Sequence, residues 1–445
     1  MAIFLILNAF VLNGALWLAS PDREAGVPDT SLKETVLQHT WEVLNARGSD
    51  DSWGIIWAAL DYARTPHTTP LYTEIFFYRQ IKFQYPPTTL FSVAGMRLID
   101  PQRIRISDDY MGPWPSLDDL AGIAFIAMLA FATAALFELR LRQTQAFADS
   151  GGSLVAVRAV LVVAFALTFY PAVKAFTLGQ IQVWINGLFA LSLLCWIAGR
   201  KAAGGVLIGL ICLIKPHYGV FLLWAAFRRE WRFVVACVVT GAIGLAASVA
   251  AFGVADHVDY LRTLSFMSER GEAYYPNQSV NGLLNRLAGI AEPQLYNNLE
   301  FQIGGFPPFN PWVYGGTMVA AAVILLTAIF HRRSDRTIDF CTMAVSATAA
   351  SPIAWEHHYG VLLPVFAVLL AEPSTRRWRL FWLVLSYVLA SIFIPAANLL
   401  AATPWNVVQS HLFAAALIVL VLLHSQPASV RLRSPSFATE RAAPA

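Results

Sequence analysis

Two adjacent carboxylates, Asp50 and Asp51, are the first residues whose spacing suggests chemistry, and an aromatic-rich stretch beginning at Trp53 follows them. Neighbouring carboxylates repel each other's charge, so the pKa of one of them can rise toward neutrality. A carboxylate with such a pKa is suited to removing a proton from a hydroxyl group. The alternative is a solvated turn in which one aspartate caps the following helix, and the pair alone leaves both interpretations open.

Further ionisable residues interrupt long apolar runs. Lys215 separates two such runs, and His357 and His358 lie in the sequence SPIAWEHHY between two others. Ionisable residues at membrane depth are functional candidates because burying them is costly, and Lys215 or one histidine could bind a phosphate group. Successive histidines point in different directions on a helix, which disfavours a shared metal ion. The alternatives are a lysine that reaches the membrane surface and histidines that pack beside Trp355.

Polar side chains that carry amides form two more groups. Gln180, Gln182 and Asn186 open an apolar run at near-helical spacing. They could hydrogen-bond a sugar, or they could only bind neighbouring helices. Gln278 and Arg286 belong to a polar cluster in a later loop.

The elements that must position these side chains are membrane helices. Apolar residues make up 57% of the 445-residue chain and charged residues only 13%, whereas soluble domains are about a quarter charged. The formal net charge of +3 gives no reason to expect a nucleic-acid partner. The cysteines lie in or beside apolar runs without metal-ligand spacing, which predicts small buried apolar residues; they are Cys195, Cys212, Cys237 and Cys341.

The apolar runs predict membrane segments, several of them too short to cross a bilayer alone. They lie near residues 1–19, 120–137, 155–172, 180–198, 203–214, 218–227, 233–252, 312–330, 338–352, 359–372, 379–396 and 406–424. The short loops rich in Lys and Arg all lie on the same side of the membrane only if 203–227 and 338–372 are each a pair of helices. The first pair is then broken at Lys215 and the second at Ser351–His358. Both chain ends are then cytoplasmic. The two breaks lie on the extracytoplasmic face with the loops 20–119 and 253–311, which predicts a cavity that opens there.

The first loop contains a predicted amphipathic helix. Ser31 and Glu34 fit a capping box, and apolar residues recur at helical spacing until Gly48 provides a stop signal. The helix either lies along the membrane interface or packs on other residues of the loop.

Several short motifs occur in a recognisable order. They are Asp51 with Trp57-Ala58-Ala59, Leu71-Tyr72, Phe83-Gln84-Tyr85-Pro86-Pro87, Gly179-Gln180, Lys215 followed by Arg228-Arg229, Asn277-Gln278-Ser279 with Arg286, and Ser351-Pro352 through Trp355 to His357-His358. This series covers most of the chain and resembles glycosyltransferase family 87, polyprenyl-phosphate-sugar-dependent enzymes of the GT-C superfamily typified by mycobacterial mannosyltransferases. The sequence departs from the family pattern at three places: Gln182 stands where Asn is expected, Glu356 stands where Asp is more usual, and the Gly expected before Leu71-Tyr72 is absent from the Thr65–Pro70 segment. These departures concern the acceptor pocket more than the reaction type.

The resemblance implies an architecture and a set of site residues. The architecture is an all-α polytopic membrane protein, a single GT-C-like bundle of about 10–12 membrane helices over residues 1–424 with a large extracytoplasmic first loop. Residues 425–445 are expected to be a disordered cytoplasmic tail. Asp51 would be the catalytic base, with Asp50 as a secondary carboxylate. The residues expected to bind donor phosphate or sugar are Tyr85, Gln180, Lys215, Gln278, Arg286, His357 and His358.

The implied reaction is an inverting sugar transfer at the bacterial plasma membrane, with no obligatory cofactor or metal. A polyprenyl-phosphate donor would give mannose, or another hexose or pentose, to an extracytoplasmic glycan or glycolipid acceptor. The lipid bilayer is the other expected partner. Two alternatives remain open, a lipid-glycan flippase or transporter and a polymerase or ligase of polyprenyl-diphosphate-linked glycans. Transporters often contain internal repeats, and none is recognisable in this sequence.

Overall fold

The computed structural model describes residues 36–104, 114–144, 152–288, 306–372, 377–391, 400 and 403–426. Within these ranges the regular structure is helical, apart from one isolated bridge between Asn277 and Trp355. The α-helices are α1 (Val36–Leu44), α2 (Trp53–Arg64), α3 (Leu90–Ile99), α4 (Leu117–Gln143), α5 (Gly152–Leu167), α6 (Tyr170–Thr177), α7 (Gln182–Ile197), α8 (Lys201–Ile214), α9 (Val220–Phe227), α10 (Trp231–Arg270), α11 (Val280–Leu287), α12 (Pro311–Phe330), α13 (Arg336–Ala349), α14 (Leu362–Leu370), α15 (Arg377–Ser391) and α16 (His411–His424). Short 3-10 turns and one π-helical turn, Thr73–Tyr78, join them.

The predicted all-α polytopic membrane class is confirmed. Among the described residues, four helical stretches are long and apolar enough to cross a bilayer: α4, α10, α12 and Asn406–His424. The pair α5 and α6, bent by 56°, makes a fifth if it acts as one span. Other apolar helices are shorter; the 14 residues of α8 reach about 21 Å against a hydrocarbon core of about 30 Å.

The predicted split of 203–227 into two helices is confirmed. The Trp196 ring, just before α8, packs on Trp224 near the end of α9 with centroids 5.2 Å apart. The Trp196 indole also donates to the carbonyl of Arg336 at 3.0 Å. Therefore α8 starts and α9 ends at the same end of the molecule, and Lys215 lies in the turn between them at the opposite end.

The split of 338–372 is confirmed by one arginine. The Arg140 Nε donates to Glu372 at 2.7 Å, and the same guanidinium pairs with Asp335. Since Asp335 precedes α13 and Glu372 follows α14, these two helices also begin and end together. The breaks at Lys215 and at Ser351–His358 consequently meet at the other end, which we call the cavity end.

One feature of the loops differs from expectation. The second loop was predicted to start at residue 253, but α10 only kinks at Gly253, where φ is +81°, and continues to Arg270. Its polar continuation supports the first loop: Asp256 accepts the backbone N–H of Leu71 at 2.9 Å, and Asp259 accepts that of Thr73 at 2.6 Å. These contacts are long-range, so hydropathy alone did not predict the helical extension.

The amphipathic helix of the first loop is present as α1. It buries Val36 and Val43, and its Thr40 hydroxyl donates to the carbonyl of Leu167 on α5 at 2.5 Å. Its other face leaves Trp41 and Leu44 exposed. The predicted capping box at 31–34, the predicted first membrane helix at 1–19 and nearly all of the predicted tail lie outside the described residues.

Candidate active site

A cavity of about 810 Å³ opens at the cavity end. Its walls come from the first loop, the turn after α8, the outer part of α10 and the break before α14. The cavity brings together most of the residues predicted from the sequence. Those that line it are Asp51, Tyr85, Gln180, Lys215, His357 and His358.

A backbone pairing positions Asp51. Its N–H donates to the carbonyl of Leu178 at 3.1 Å, and the N–H of Ser52 donates to that of Gly179 at 3.1 Å. The two segments approach so closely that a Cβ on Gly179 would lie 1.8 Å from the carbonyl oxygen of Ser49. Gly179 also has φ +67°, a left-handed conformation that favours glycine. These constraints explain why glycine precedes Gln180.

Gln180 links Asp51 to two hydroxyl groups. The Gln180 Oε1 accepts from Ser52 at 2.9 Å and from Tyr85 at 3.1 Å, while Nε2 donates to Asp51 Oδ2. Ser52 and Gln180 are buried, whereas the Asp51 side chain is open to the cavity. The arrangement leaves Oδ1 of Asp51 as the oxygen available to a bound hydroxyl.

The surroundings of Asp51 raise the pKa of its carboxyl. Protein atoms of the cavity wall surround the carboxyl and remove most of its water, although solvent still reaches it through the opening. This desolvation is the largest cause of the raised pKa. The charge of Asp50 also raises the pKa, while the Gln180 amide and the positive charges of Lys82 and Lys174 oppose the rise. Asp50 is not among the cavity-lining residues, so its effect on Asp51 is electrostatic.

On another part of the cavity wall, Lys215 and His358 form a pair of proton-bearing groups. The backbone N–H of Trp355 donates to His358 Nδ1 at 3.2 Å, so the proton of a neutral ring lies on Nε2. That Nε2 contacts Lys215 Nζ, which also donates to Gln182 Oε1 at 2.7 Å. In their ordinary charge states both contacting groups carry protons, so an anionic oxygen would satisfy them better than they satisfy each other.

The amides of α7 tie the two breaks together. Gln182 Nε2 donates to Asn186 Oδ1 at 3.0 Å, and Asn186 Nδ2 donates to the carbonyl of His357 at 3.4 Å. Gly360 passes so close to Asn186 that a Cβ there would lie 2.1 Å from Nδ2. Gln182 and Asn186 therefore fix the position of Lys215 relative to the break at Ser351–His358, which we call the histidine break.

Gln278 and Arg286 are not brought to the cavity lining. Gln278 Oε1 accepts the backbone N–H groups of Leu412 and Phe413 at 3.2 Å each. Arg286 donates to the Ser410 hydroxyl at 3.0 Å and to the carbonyl of Asn277 at 2.9 Å. Both side chains are buried, and both join the loop after α10 to the start of α16.

The neighbours of Gln278 support the histidine break from behind. Asn277 Oδ1 accepts the N–H of Ala354 at 3.0 Å, and the Ser279 hydroxyl donates to the carbonyl of Pro352 at 2.8 Å. The Asn-Gln-Ser motif and the Ser-Pro-x-x-Trp-x-His-His motif are thus two halves of one packed unit. Because the two motifs are far apart in the sequence, their contact was not predicted.

Sequence reasoning missed one cation of the cavity wall, Lys82. Its ammonium pairs with Glu272 and lies over the rings of Phe306, at 4.7 Å, and Trp355, at 5.4 Å. The available signal was its position directly before the Phe83–Pro87 motif. Among the residues that the structure describes, no three His, Cys, Asp or Glu side chains gather as a metal-binding group; independence from metal stays a prediction.

Three curated relatives are similar to this chain. Two are named polyprenol-phosphate-mannose-dependent alpha-(1-2)-phosphatidylinositol mannoside mannosyltransferase. The one from Mycobacterium tuberculosis is 26% identical over 258 residues, 57% of this chain and 54% of the relative. The one from Mycolicibacterium smegmatis is 28% identical over 235 residues, 49% of this chain and 48% of the relative. An alpha-(1->3)-arabinofuranosyltransferase of M. tuberculosis is 27% identical over 280 residues, 62% of this chain and 55% of the relative.

The chain spans about half the length of these relatives. The model of glycosyltransferase family 87 matches residues 83–354, which include Tyr85, Gln180 and Lys215. This match covers more than half of the chain, and the described helices are those of a polytopic membrane protein. The protein belongs to glycosyltransferase family 87.

Proposed function

We propose that this protein transfers a sugar from a polyprenyl-phosphate donor to a glycan or glycolipid acceptor, with inversion at the anomeric carbon and Asp51 as the general base. Mannose, or another hexose or pentose, is the sugar. The names of the mannosyltransferase relatives support the donor class. The observation that carries the proposal is that a carboxylate with a raised pKa and the contacting pair Lys215 and His358 line one cavity.

The proposed step is a single displacement. Asp51 takes the proton of the acceptor hydroxyl, and the acceptor oxygen forms a bond to the anomeric carbon. The bond between that carbon and the phosphate oxygen breaks, and its electron pair leaves with polyprenyl phosphate. Inversion follows because the attacking oxygen enters opposite the departing one.

Lys215 and His358 stabilise the leaving group in this proposal. The departing phosphate gains negative charge as the bond breaks, so hydrogen bonds to it strengthen in the transition state. A hydrogen bond to a charged group contributes about 1.5–3 kcal/mol, or about ten- to a hundredfold in rate. His357 lines the same cavity and completes its donor side.

The proposed location is the outer side of a bacterial plasma membrane. Arginines gather at the end opposite the cavity, where Arg140, Arg228 and Arg336 join helix ends. Basic residues favour the cytoplasmic side, which puts the cavity and its substrates on the extracytoplasmic side and both chain ends in the cytoplasm.

A reconstituted transfer assay tests this function. Purified protein in vesicles is given polyprenyl-phosphate mannose or a nucleotide sugar, with a glycolipid acceptor and with or without a chelator. We expect glycoside and polyprenyl phosphate in equal amounts from the lipid donor alone, unaffected by the chelator. Movement of intact lipid without transfer would support a transporter, and transfer only from a diphosphate-linked glycan would support a polymerase.

Lys215→Ala, compared with Lys201→Ala, tests the phosphate site within the same assay. These lysines lie at opposite ends of α8. We expect Lys215→Ala to raise the donor KM or lower kcat about ten- to a hundredfold, and Lys201→Ala to keep normal donor kinetics. Unchanged donor kinetics in Lys215→Ala would remove this residue from the phosphate site.

A further inference from the structure

We infer that Gln180 is a positioning residue for Asp51: the hydroxyls of Ser52 and Tyr85 lock its amide so that an N–H, and never the carbonyl, faces the carboxylate. The inference rests on the proposed role of Asp51 as the base. It replaces the expectation that Gln180 binds the donor, because the described contacts of its amide are made within the protein.

The orientation of the amide follows from counting protons. The Ser52 Oγ accepts the backbone N–H of Ile181 at 3.1 Å, so its single proton is free to be donated to Gln180 Oε1 at 2.9 Å. Tyr85 OH reaches the same Oε1 at 3.1 Å. The Ser52 and Tyr85 oxygens also lie 2.8 Å apart, so one hydroxyl donates to the other and the remaining hydroxyl donates to Oε1. With a hydroxyl proton directed at it in either arrangement, this atom is the carbonyl oxygen, and Nε2 is the atom that contacts Asp51.

A reversed amide would place two acceptors against each other. The Gln180 carbonyl would face the Asp51 carboxylate, and the hydroxyl that donates to Oε1 would lose its acceptor. The carboxylate and the hydroxyl pair therefore both favour the observed orientation. Because either hydroxyl alone still favours the observed orientation, the lock is redundant.

The lock has two consequences for the reaction. It holds Oδ2 of Asp51 in a hydrogen bond and so presents Oδ1 to the acceptor. It also stabilises the charged form of the base, alongside the positive charges of Lys82 and Lys174 and against the negative charge of Asp50. Loss of the N–H donor should therefore make the carboxylate harder to ionise.

The test is the pH dependence of kcat/KM for sugar transfer. A base must be ionised, so transfer falls on the acid side. Gln180→Leu should move this acid limb upward by about one pH unit, the size expected for a lost hydrogen bond to a charged group. Gln182→Leu is the matched control: it removes an amide that contacts Lys215, and its acid limb should stay at the wild-type pH.

A second set of variants keeps Gln180 in place. Ser52→Ala and Tyr85→Phe should each move the acid limb little, because the remaining hydroxyl can still donate to Gln180 Oε1. The double variant should move it farther than the sum of the two single shifts, because Oε1 then loses both donors and the amide is no longer fixed beside Asp51. Such non-additivity is the signature of a redundant lock. Additive single effects, or a double variant with the wild-type limb, would overturn the inference, even if Gln180→Leu fails to insert.

The two proposals fail in different ways. If Asp51→Asn retains full transfer, the base assignment is wrong and the lock has no function. If Asp51→Asn is inactive but Gln180→Leu and the double variant keep the wild-type pH profile, the base stands and only the positioning role is lost.

Discussion

At the scale of single residues, the Asp51 carboxylate is subject to opposing influences. Desolvation and the neighbouring Asp50 raise its pKa, whereas the Gln180 amide and two lysines restrain the rise. A base needs enough affinity to take a proton and must still be ionised at the working pH. In the proposed mechanism the cavity wall around Asp51 balances these requirements, and Asp50 acts through its charge.

The raised pKa predicts a pH dependence. Because the proposed mechanism needs ionised Asp51, activity should fall as the pH drops through its pKa, and the acid limb should lie above the value of about 3.9 for an ordinary aspartate. The same shift means that the folded protein binds this proton more tightly than the unfolded chain does. Stability should therefore decline as the pH rises through that range.

Asp51→Asn isolates this contribution, since asparagine does not titrate. Thermal unfolding of wild type and variant in detergent, measured across the same pH range, should converge at low pH, with the wild type less stable at high pH. A wild type that instead gains stability relative to the variant as the pH rises would show that the pKa is lowered.

At the scale of elements, the turn between α6 and α7 determines where Asp51 lies. Gly179 allows residues 177–179 to pair with 49–52, and the next residue, Gln180, then reaches Asp51. A side chain on Gly179 would overlap the carbonyl of Ser49, so the two segments would have to separate. The Gly179-Gln180 motif therefore positions the Asp51 carboxylate of the first loop beside the start of α7.

Gly179→Ala should abolish transfer or reduce it at least about tenfold, because separation of the segments moves Asp51. Gly199→Ala is the matched control: its φ is also left-handed, at +77°, but a Cβ there meets nothing within 4 Å. The control therefore measures only the cost of placing a residue with a Cβ in a left-handed backbone conformation, about 1–2 kcal/mol. Transfer per inserted protein should separate the two variants, and equal activity would contradict the proposed alignment.

At the scale of the whole molecule, two helical hairpins bring distant motifs to one end. One hairpin is α8 with α9, and the other is α13 with α14. Their turns carry Lys215 and His358, whose side chains meet in the cavity. Their opposite ends are joined by ion pairs, such as those of Arg228 with Asp339 at 2.8 Å.

Cysteine labelling tests the proposed orientation of this arrangement. A background without the four native cysteines receives Tyr78→Cys at the cavity end or Ser334→Cys at the arginine end; both positions are exposed. An impermeant thiol reagent added to intact cells or spheroplasts should label the first and not the second. The reverse pattern would place the cavity on the cytoplasmic side.

The sequence correctly predicted those helices that depend on the hydropathy of neighbouring residues. The run 120–137 corresponds to α4 and the run 312–330 to α12, because hydropathy is a property of neighbouring residues. The distribution of arginines also predicted the hairpins correctly. Hydropathy did not predict the helix from Gly253 to Arg270, whose polar face is stabilised by the first loop.

The site was predictable in part for the same reason. Asp51, Lys215 and His358 have ionisable side chains, and residue type alone marks them as candidates for proton transfer or phosphate binding. Whether Gln278 faces the cavity or caps α16 depends on tertiary packing, which the motif order does not encode. Lys82 was overlooked because an isolated lysine in a loop has the pattern of a solvated surface residue.

The most direct test of the central claim is transfer by Asp51→Asn in the reconstituted assay. Asparagine keeps the shape of the side chain and removes the proton acceptor. If general-base catalysis contributes its usual 10²–10⁴-fold, product per inserted protein should fall by at least about a hundredfold while donor binding is preserved. Asp50→Asn should lose less activity, and Asp61→Asn, which removes only an exposed ion pair with Arg97, least of all. Full activity in Asp51→Asn would contradict the assignment of the base.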